Sequence, residues 1–196
     1  GQSKELFYPN LDFESPPLAP FGGWIDYASG QTYDGWTVTS GTISIHHPAH
    51  LNLGAGNPNG ASQHLDLHGS TPGSVLYALT GLTSGYTYTI ELWYAIHSIT
   101  SMANANLKIN GGAWLNVSWS ASNPGDVIWL KASYMFVAKG TSTTMELIGS
   151  GPTPCCGMLI DDIRIFECPG DQMAPVPSLV PADLQFNCIQ DLTPAD

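Results

Sequence analysis

Tyr86-Thr87-Tyr88-Thr89-Ile90-Glu91-Leu92-Trp93-Tyr94 is the stretch that decides the fold. Tyr88, Ile90, Leu92 and Tyr94 share one parity, and Thr87, Thr89, Glu91 and Trp93 share the other. A period of two separates side chains onto the two faces of a β-strand and onto no helical face. The same alternation recurs at 36–39, 42–45, 63–67 and 74–79, with further candidates at 105–109, 115–119, 128–137, 143–148 and 159–166. That amounts to roughly ten half-buried strands at sandwich-like spacing. Asn110-Gly111-Gly112 reads as a hairpin turn, and Ser84-Gly85 and Lys139-Gly140 punctuate in the same way. The Pro/Gly-rich stretches 15–33 and 48–62 read as long loops. No segment carries a convincing helical period, so the fold class is all-β, a sandwich of two antiparallel sheets.

Composition agrees. The 196 residues are 43% hydrophobic, enough for a buried core, and only 11% charged, with 21 Gly and 15 Pro to supply many tight turns. Five Lys plus Arg face 16 Asp plus Glu, a formal charge of -11 that repels phosphate backbones. Nucleic acid is excluded as a partner. No apolar run approaches the ~20 residues of a spanning helix, so membrane insertion is not expected. An acidic, Lys-poor surface suits a secreted or cell-surface protein, and the opening Gly1-Gln2-Ser3 reads as the start of a mature chain. The four cysteines, Cys155, Cys156, Cys168 and Cys188, lack the C-x-x-C spacing of zinc or redox sites. Disulfides are expected instead, with Cys168 joined to Cys188 as the favoured pairing. A different partner for each of Cys155 and Cys156 and a vicinal bridge between them both stay open.

After Cys168 the texture changes to a Pro-rich extension holding Pro169, Pro175, Pro177 and Pro181, then a strand-like run ending at Cys188. The chain therefore divides into a sandwich domain over 1–167 and, over 168–196, a linker with the first strand of a following module.

Four signatures occur in order: Asn10-Leu11-Asp12-Phe13-Glu14; Gly35-Trp36-Thr37-Val38; Gln63-His64-Leu65-Asp66-Leu67 with Gly69 and Gly73; and Leu159-Ile160-Asp161-Asp162-Ile163. Together they resemble the galactose-binding-domain-like jelly rolls, in particular the bacterial choice-of-anchor C type domains and plant cell-wall proteins with an N-G-x-F-E start and a C-G-P-L-I-D end. Cys156-Gly157-Met158-Leu159-Ile160-Asp161 follows that end, whereas Leu11 replaces the usual Gly and the plant mid-chain Cys is missing. The tail from Cys168 is similar to the opening of immunoglobulin-like repeats in bacterial surface adhesins. The resemblance implies a jelly roll with a structural calcium held by Glu14 and Asp161, assisted by Asp12 and Asp162. Carboxylates gathered at a strand end repel unless a hard cation sits between them. The alternative is that they cap backbone N–H groups in the loops.

Sugar rings stack on aromatic planes while their hydroxyls need polar partners. Trp36 and Trp129 fall at the family's tryptophan places and are expected in the core. Trp93, out of phase with the core parity, shares an open face with Glu91 and is the main candidate platform. Trp24, Tyr27 and Tyr33 sit in the 15–33 loop and complete the ligand candidates. His46, His47 and His50 have no helix to align them, and His64 and His68, four apart on a strand, stand ~13 Å from each other, so a zinc site is not expected. No catalytic motif is present, and the adjacent Asp161 and Asp162 alternate across a strand instead of facing each other over a cleft. The expectation is an extracellular, non-catalytic carbohydrate-binding or adhesive module whose partners are a polysaccharide or glycan and neighbouring domains. The alternative is a structural spacer with no ligand of its own.

Overall fold

A computed structural model describes residues 3–18, 23–47, 63–97, 99–112, 115–122, 127–152 and 155–168. In chain order the strands are β1 Lys4–Leu6, β2 Trp24–Ala28, β3 Thr32–Tyr33, β4 Trp36–Ser40, β5 Thr42–His46, β6 His64–Asp66 and β7 Ser74–Thr80. There follow β8 Thr87–Ile96, β9 Met102–Ile109, β10 Leu115–Ser122, β11 Leu130–Val137, β12 Ser142–Ser150 and β13 Met158–Cys168. The described residues contain only one 3-10 turn, at Asn110–Gly112, where the hairpin signal stood. No helix among them is long and apolar enough to cross a membrane.

The strands form two sheets, ordered β11-β8-β13-β6-β5-β2, with β1 also on β13, and β10-β9-β12-β7-β4-β3. Every pairing is antiparallel. The chain is a jelly-roll β-sandwich. Tyr88, Ile90 and Leu92 of β8 are fully buried against Leu107 and Ile109 of β9 and Met145 and Leu147 of β12 in one core cluster. The parity of the deciding stretch is thus the parity of the core, and the opposite parity of β8, β13, β6, β5 and β2 makes the outer face of the first sheet.

Two glycines allow the β4–β5 hairpin to meet the start of β7. A Cβ on Gly41 (φ +58°) would lie 1.9 Å from the Pro72 carbonyl oxygen, and one on Gly73 would lie 2.4 Å from that of Thr42. At the other end of β4, Trp36 is buried, stacked on Phe13 at 5.2 Å and tilted against Tyr77 at 4.9 Å. The polar tips of these aromatics hold the loop that carries Asp12 and Glu14. Trp36 Nε1 donates to Asn10 O (3.0 Å), Tyr77 Oη to Pro9 O (2.7 Å) and Tyr33 Oη to Phe13 O (2.7 Å).

Three expectations need correcting. The stretch 15–33 is interrupted by β2 and β3, because Trp24 to Ala28 find a strand partner in β5, and that long-range pairing is invisible to local pattern. Tyr33 is only 3% exposed with its hydroxyl committed to Phe13, so it is a core residue and leaves the ligand set. Trp129 is not in the inter-sheet core; it packs outside the first sheet, on Ala95 and Leu159. The 48–62 loop, His50, the extension 169–196 and Cys188 lie outside the described residues. Cys155 and Cys156 are free thiols and Cys168 is disulfide-bonded, while its expected partner Cys188 is among the residues not described.

Candidate functional site

β13 pairs with β8 along one edge, but its other edge is shared: Leu159 and Ile160 meet β6, and residues 165 to 167 meet β1. The loop 9–18 reaches the interval between them, where Ile163 N donates to Leu11 O at 3.0 Å. In the same interval the register slips between Asp161 and Arg164, and Asp162 takes a positive φ of 46°. Such a bulge re-aims side chains and breaks the alternation expected of Asp161 and Asp162. Asp161 becomes fully buried, while Asp162 turns out to a surface cleft.

The charges of Asp12, Glu14 and Asp162 are felt at Asp161, but no three of the four carboxylates bring ligand atoms within 4.8 Å of one another. Asp161 Oδ1 accepts from Asp162 N (2.7 Å), Glu14 Oε1 from Gln63 N (2.8 Å) and Asp12 Oδ1 from Glu14 N (3.4 Å). The capping role is therefore real, but it leaves Asp161 Oδ2 buried with no hydrogen-bond partner. Burial raises the Asp161 carboxyl to about 8, helped by the negative charges of Glu14, Asp162 and Asp12. Carboxylate oxygens are the donors a calcium ion takes, but these four are not gathered around a common point.

Trp93 lies on the outer face of the same sheet, partly buried, as its parity required. It lines a cleft of about 150 Å³ together with Glu91, Lys131, Asp162 and Arg164. Glu91 and Lys131 form an ion pair at 2.6 Å, and Arg164 Nε donates to Asp162 Oδ1 at 3.2 Å. A second cleft of about 460 Å³ shares Asp162 and Arg164 and extends past Leu6, Tyr8 and the 90%-exposed Phe7. Two of the chain's five cationic side chains thus flank one aromatic plane. The arrangement offers a stacking surface ringed by donors and acceptors, the chemistry that takes hold of a polyol ring.

Trp24 is 52% exposed near the far edge of the sheet, its ring 6.5 Å from that of His46. Tyr27 is half-buried edge-on against Tyr33 at 5.2 Å, on the core side of β2. The structure joins neither to the Trp93 cleft. Sequence reasoning missed Lys131 and Arg164, which reach the cleft from neighbouring strands. It also missed a cluster of His46, Asp66 and His97, because it measured histidine spacing along strands and not across them.

Fold and groove together define a jelly-roll β-sandwich with a candidate ligand site on its first sheet. No family model matches the chain. It is similar to halomucin of Haloquadratum walsbyi, 32% identical over 192 residues, an alignment that takes in 88% of this chain and spans 2% of the length of halomucin. Among solved structures it is similar to TmCBM61 in complex with β-1,4-galactotriose, at 14% identity over 81% of this chain and 96% of that one, TM-score 0.49. It is similar also to the CBM22-1 xylan-binding domain of Paenibacillus barcinonensis Xyn10C, at 15% identity over 73% and 92%, TM-score 0.45. A native family 35 carbohydrate binding module of Clostridium thermocellum gives 14% over 72% and 90%, TM-score 0.43.

Proposed function

We propose that this chain is an extracellular, non-catalytic carbohydrate-binding or adhesive module of a larger secreted or surface protein. The observation that carries the reading is the cleft of Trp93, Glu91, Lys131, Asp162 and Arg164, an aromatic side chain set among paired charges. At about 150 Å³ it is smaller than the ~300 to 1,000 Å³ of pockets that enclose whole ligands, which suits one ring of a longer glycan. The adjoining cleft past Phe7 gives the chain of sugars room to continue.

In this reading calcium is structural. Asp161 with Glu14, Asp12 and Asp162 would hold it, and the ion would supply charge neutralisation at the β13 bulge. Asp162 belongs to both the carboxylate group and the cleft, so an ordered bulge fixes the cleft's wall. The finer assignment to the choice-of-anchor C type, with an adhesin-like immunoglobulin repeat continuing from 168 onward, belongs to the same proposal. It rests on the ordered signatures and the Cys168 tail. Neighbouring domains of the same polypeptide are then the natural partners.

A second reading, a spacer without a ligand, is favoured by one observation: the likeness to halomucin occupies 2% of that protein's length, as one unit of a very long chain would. A glycan array probed with the purified chain, spanning plant, algal and bacterial polysaccharides, separates the two. Binding to a defined class supports the module, and uniform failure in calcium supports the spacer.

A further inference from the structure

The outer face of the first sheet carries a second polar cluster, separate from both the Asp161 carboxylates and the Trp93 cleft. His46 ends β5, Asp66 ends β6, and His97 follows β8 directly. Ile43, Ile45 and Leu65 point into the core, so parity turns His46 and Asp66 outward. They are buried nonetheless: His46, Asp66 and His97 are 5%, 0% and 3% exposed.

One ligand atom from each of the three lies within 4.8 Å of the others. His46 Nε2 is 4.0 Å from Asp66 Oδ2, and the rings of His46 and His97 stand at 89° with centroids 5.9 Å apart. Asp66 is oriented from behind. Its Oδ1 accepts from His68 N (2.8 Å) and Gly157 N (3.0 Å), while Oδ2 is buried without a hydrogen-bond partner on the histidine side. Gly157 O in turn accepts from His97 N (3.2 Å), so a single turn at 155–157 positions two members of the set. Backbone bonds that fix one carboxylate oxygen and leave the other aimed at imidazoles are what a metal's outer shell supplies. Ile99 N donates to His97 Nδ1 at 3.4 Å.

We infer that His46, Asp66 and His97 form a binding site for a divalent first-row transition metal, with zinc as the fitting ion. Two imidazoles and one carboxylate suit such an ion, whereas calcium and magnesium demand oxygen. Tetrahedral zinc at 2.0–2.2 Å from each donor needs donors ~3.4 Å apart, so the set closes by about 1 Å on binding. One tetrahedral position stays open beside His64, whose ring is 5.5 Å from that of His46. In the sheet order β8-β13-β6-β5 the ion bridges the ends of β8, β6 and β5, stapling the sheet across β13.

The test uses the full chain, stripped with chelator, given one equivalent of zinc and desalted, with metal content and melting temperature as readouts. One zinc retained per chain, a higher melting temperature, and no displacement by excess calcium are expected. Cys155→Ser/Cys156→Ser and Glu14→Gln should retain the ion, whereas Asp66→Asn and His97→Ala should each weaken it at least about 100-fold, beyond what losing an outer-shell contact costs. Zinc that is absent from the wild type, lost with the two thiols, or kept by both ligand variants overturns the site. The wild-type result stands even if a ligand variant fails to fold.

Discussion

Replacing Asp161 by Asn tests the carboxylate cluster through two effects of opposite sign. Folding raises this carboxyl from 3.8 to about 8, chiefly by burial. Between those values the native chain binds a proton that the unfolded chain releases, so without a cation stability is greatest at low pH and is lost as pH rises toward 8. One such proton is worth about 1.4 kcal/mol per pH unit, hence about 3 kcal/mol between pH 5 and pH 7, or on the order of 6–12 °C in melting temperature for a chain of this size. Asp66, raised to about 7 by burial, slopes in the same direction and leaves a residual pH dependence in the variant. In chelator at pH 7.5, Asp161→Asn should therefore melt above the wild type. In calcium the order should change, because the ion needs the carboxylate and stabilises only the wild type. Differential scanning calorimetry at pH 5, 6, 7 and 8, with chelator and with calcium, reads every arm. Identical pH profiles for the two proteins in chelator, or an equal calcium gain in both, would refute the reasoning.

Truncating Trp93 to Ala should cost under about 2 kcal/mol, because only part of its ring leaves water on folding. Trp36→Ala, which empties the space between Phe13 and Tyr77, should cost about 3–5 kcal/mol in chemical denaturation; equal costs would mean that Trp93 is a core residue. Gly41→Ala should lower the melting temperature markedly, since its new methyl meets the Pro72 carbonyl at 1.9 Å and its φ is +58°, and an unchanged melt would contradict the close approach. Peptide mapping should join Cys168 to Cys188, a loop worth roughly 3 kcal/mol in the chain-entropy model, and a Cys168 linkage to Cys155 or Cys156 would disprove the pairing.

The sandwich was legible because its strands are long and half-buried, so that parity alone sorted Tyr88, Ile90 and Leu92 from Glu91 and Trp93. The ordered signatures pointed to Glu14 and Asp161, and the charge of Glu14 is felt at Asp161, but the two belong to no gathered group of ligand atoms among the described residues. What escaped local reading came from long-range pairing. β2 exists because β5 accepts it, Tyr33 is buried because the 9–13 loop folds over it, and Trp129 sits outside because the segment before β11 crosses the outer face. The bulge at Asp162 is equally silent in sequence, yet it decides which of two adjacent carboxylates is buried. His46 and Asp66 end two strands and His97 follows a third, and only the sheet order makes them neighbours.

The central claim is that the Trp93 cleft holds a sugar. Its most direct test is isothermal titration of the best glycan from the array, in calcium, into wild type, Trp93→Ala and Trp24→Ala, all confirmed folded. The account predicts that Trp93→Ala weakens binding at least about tenfold, the ~1.4 kcal/mol or more of a stacking anchor, while Trp24→Ala leaves it unchanged. Unaltered affinity in Trp93→Ala would contradict it.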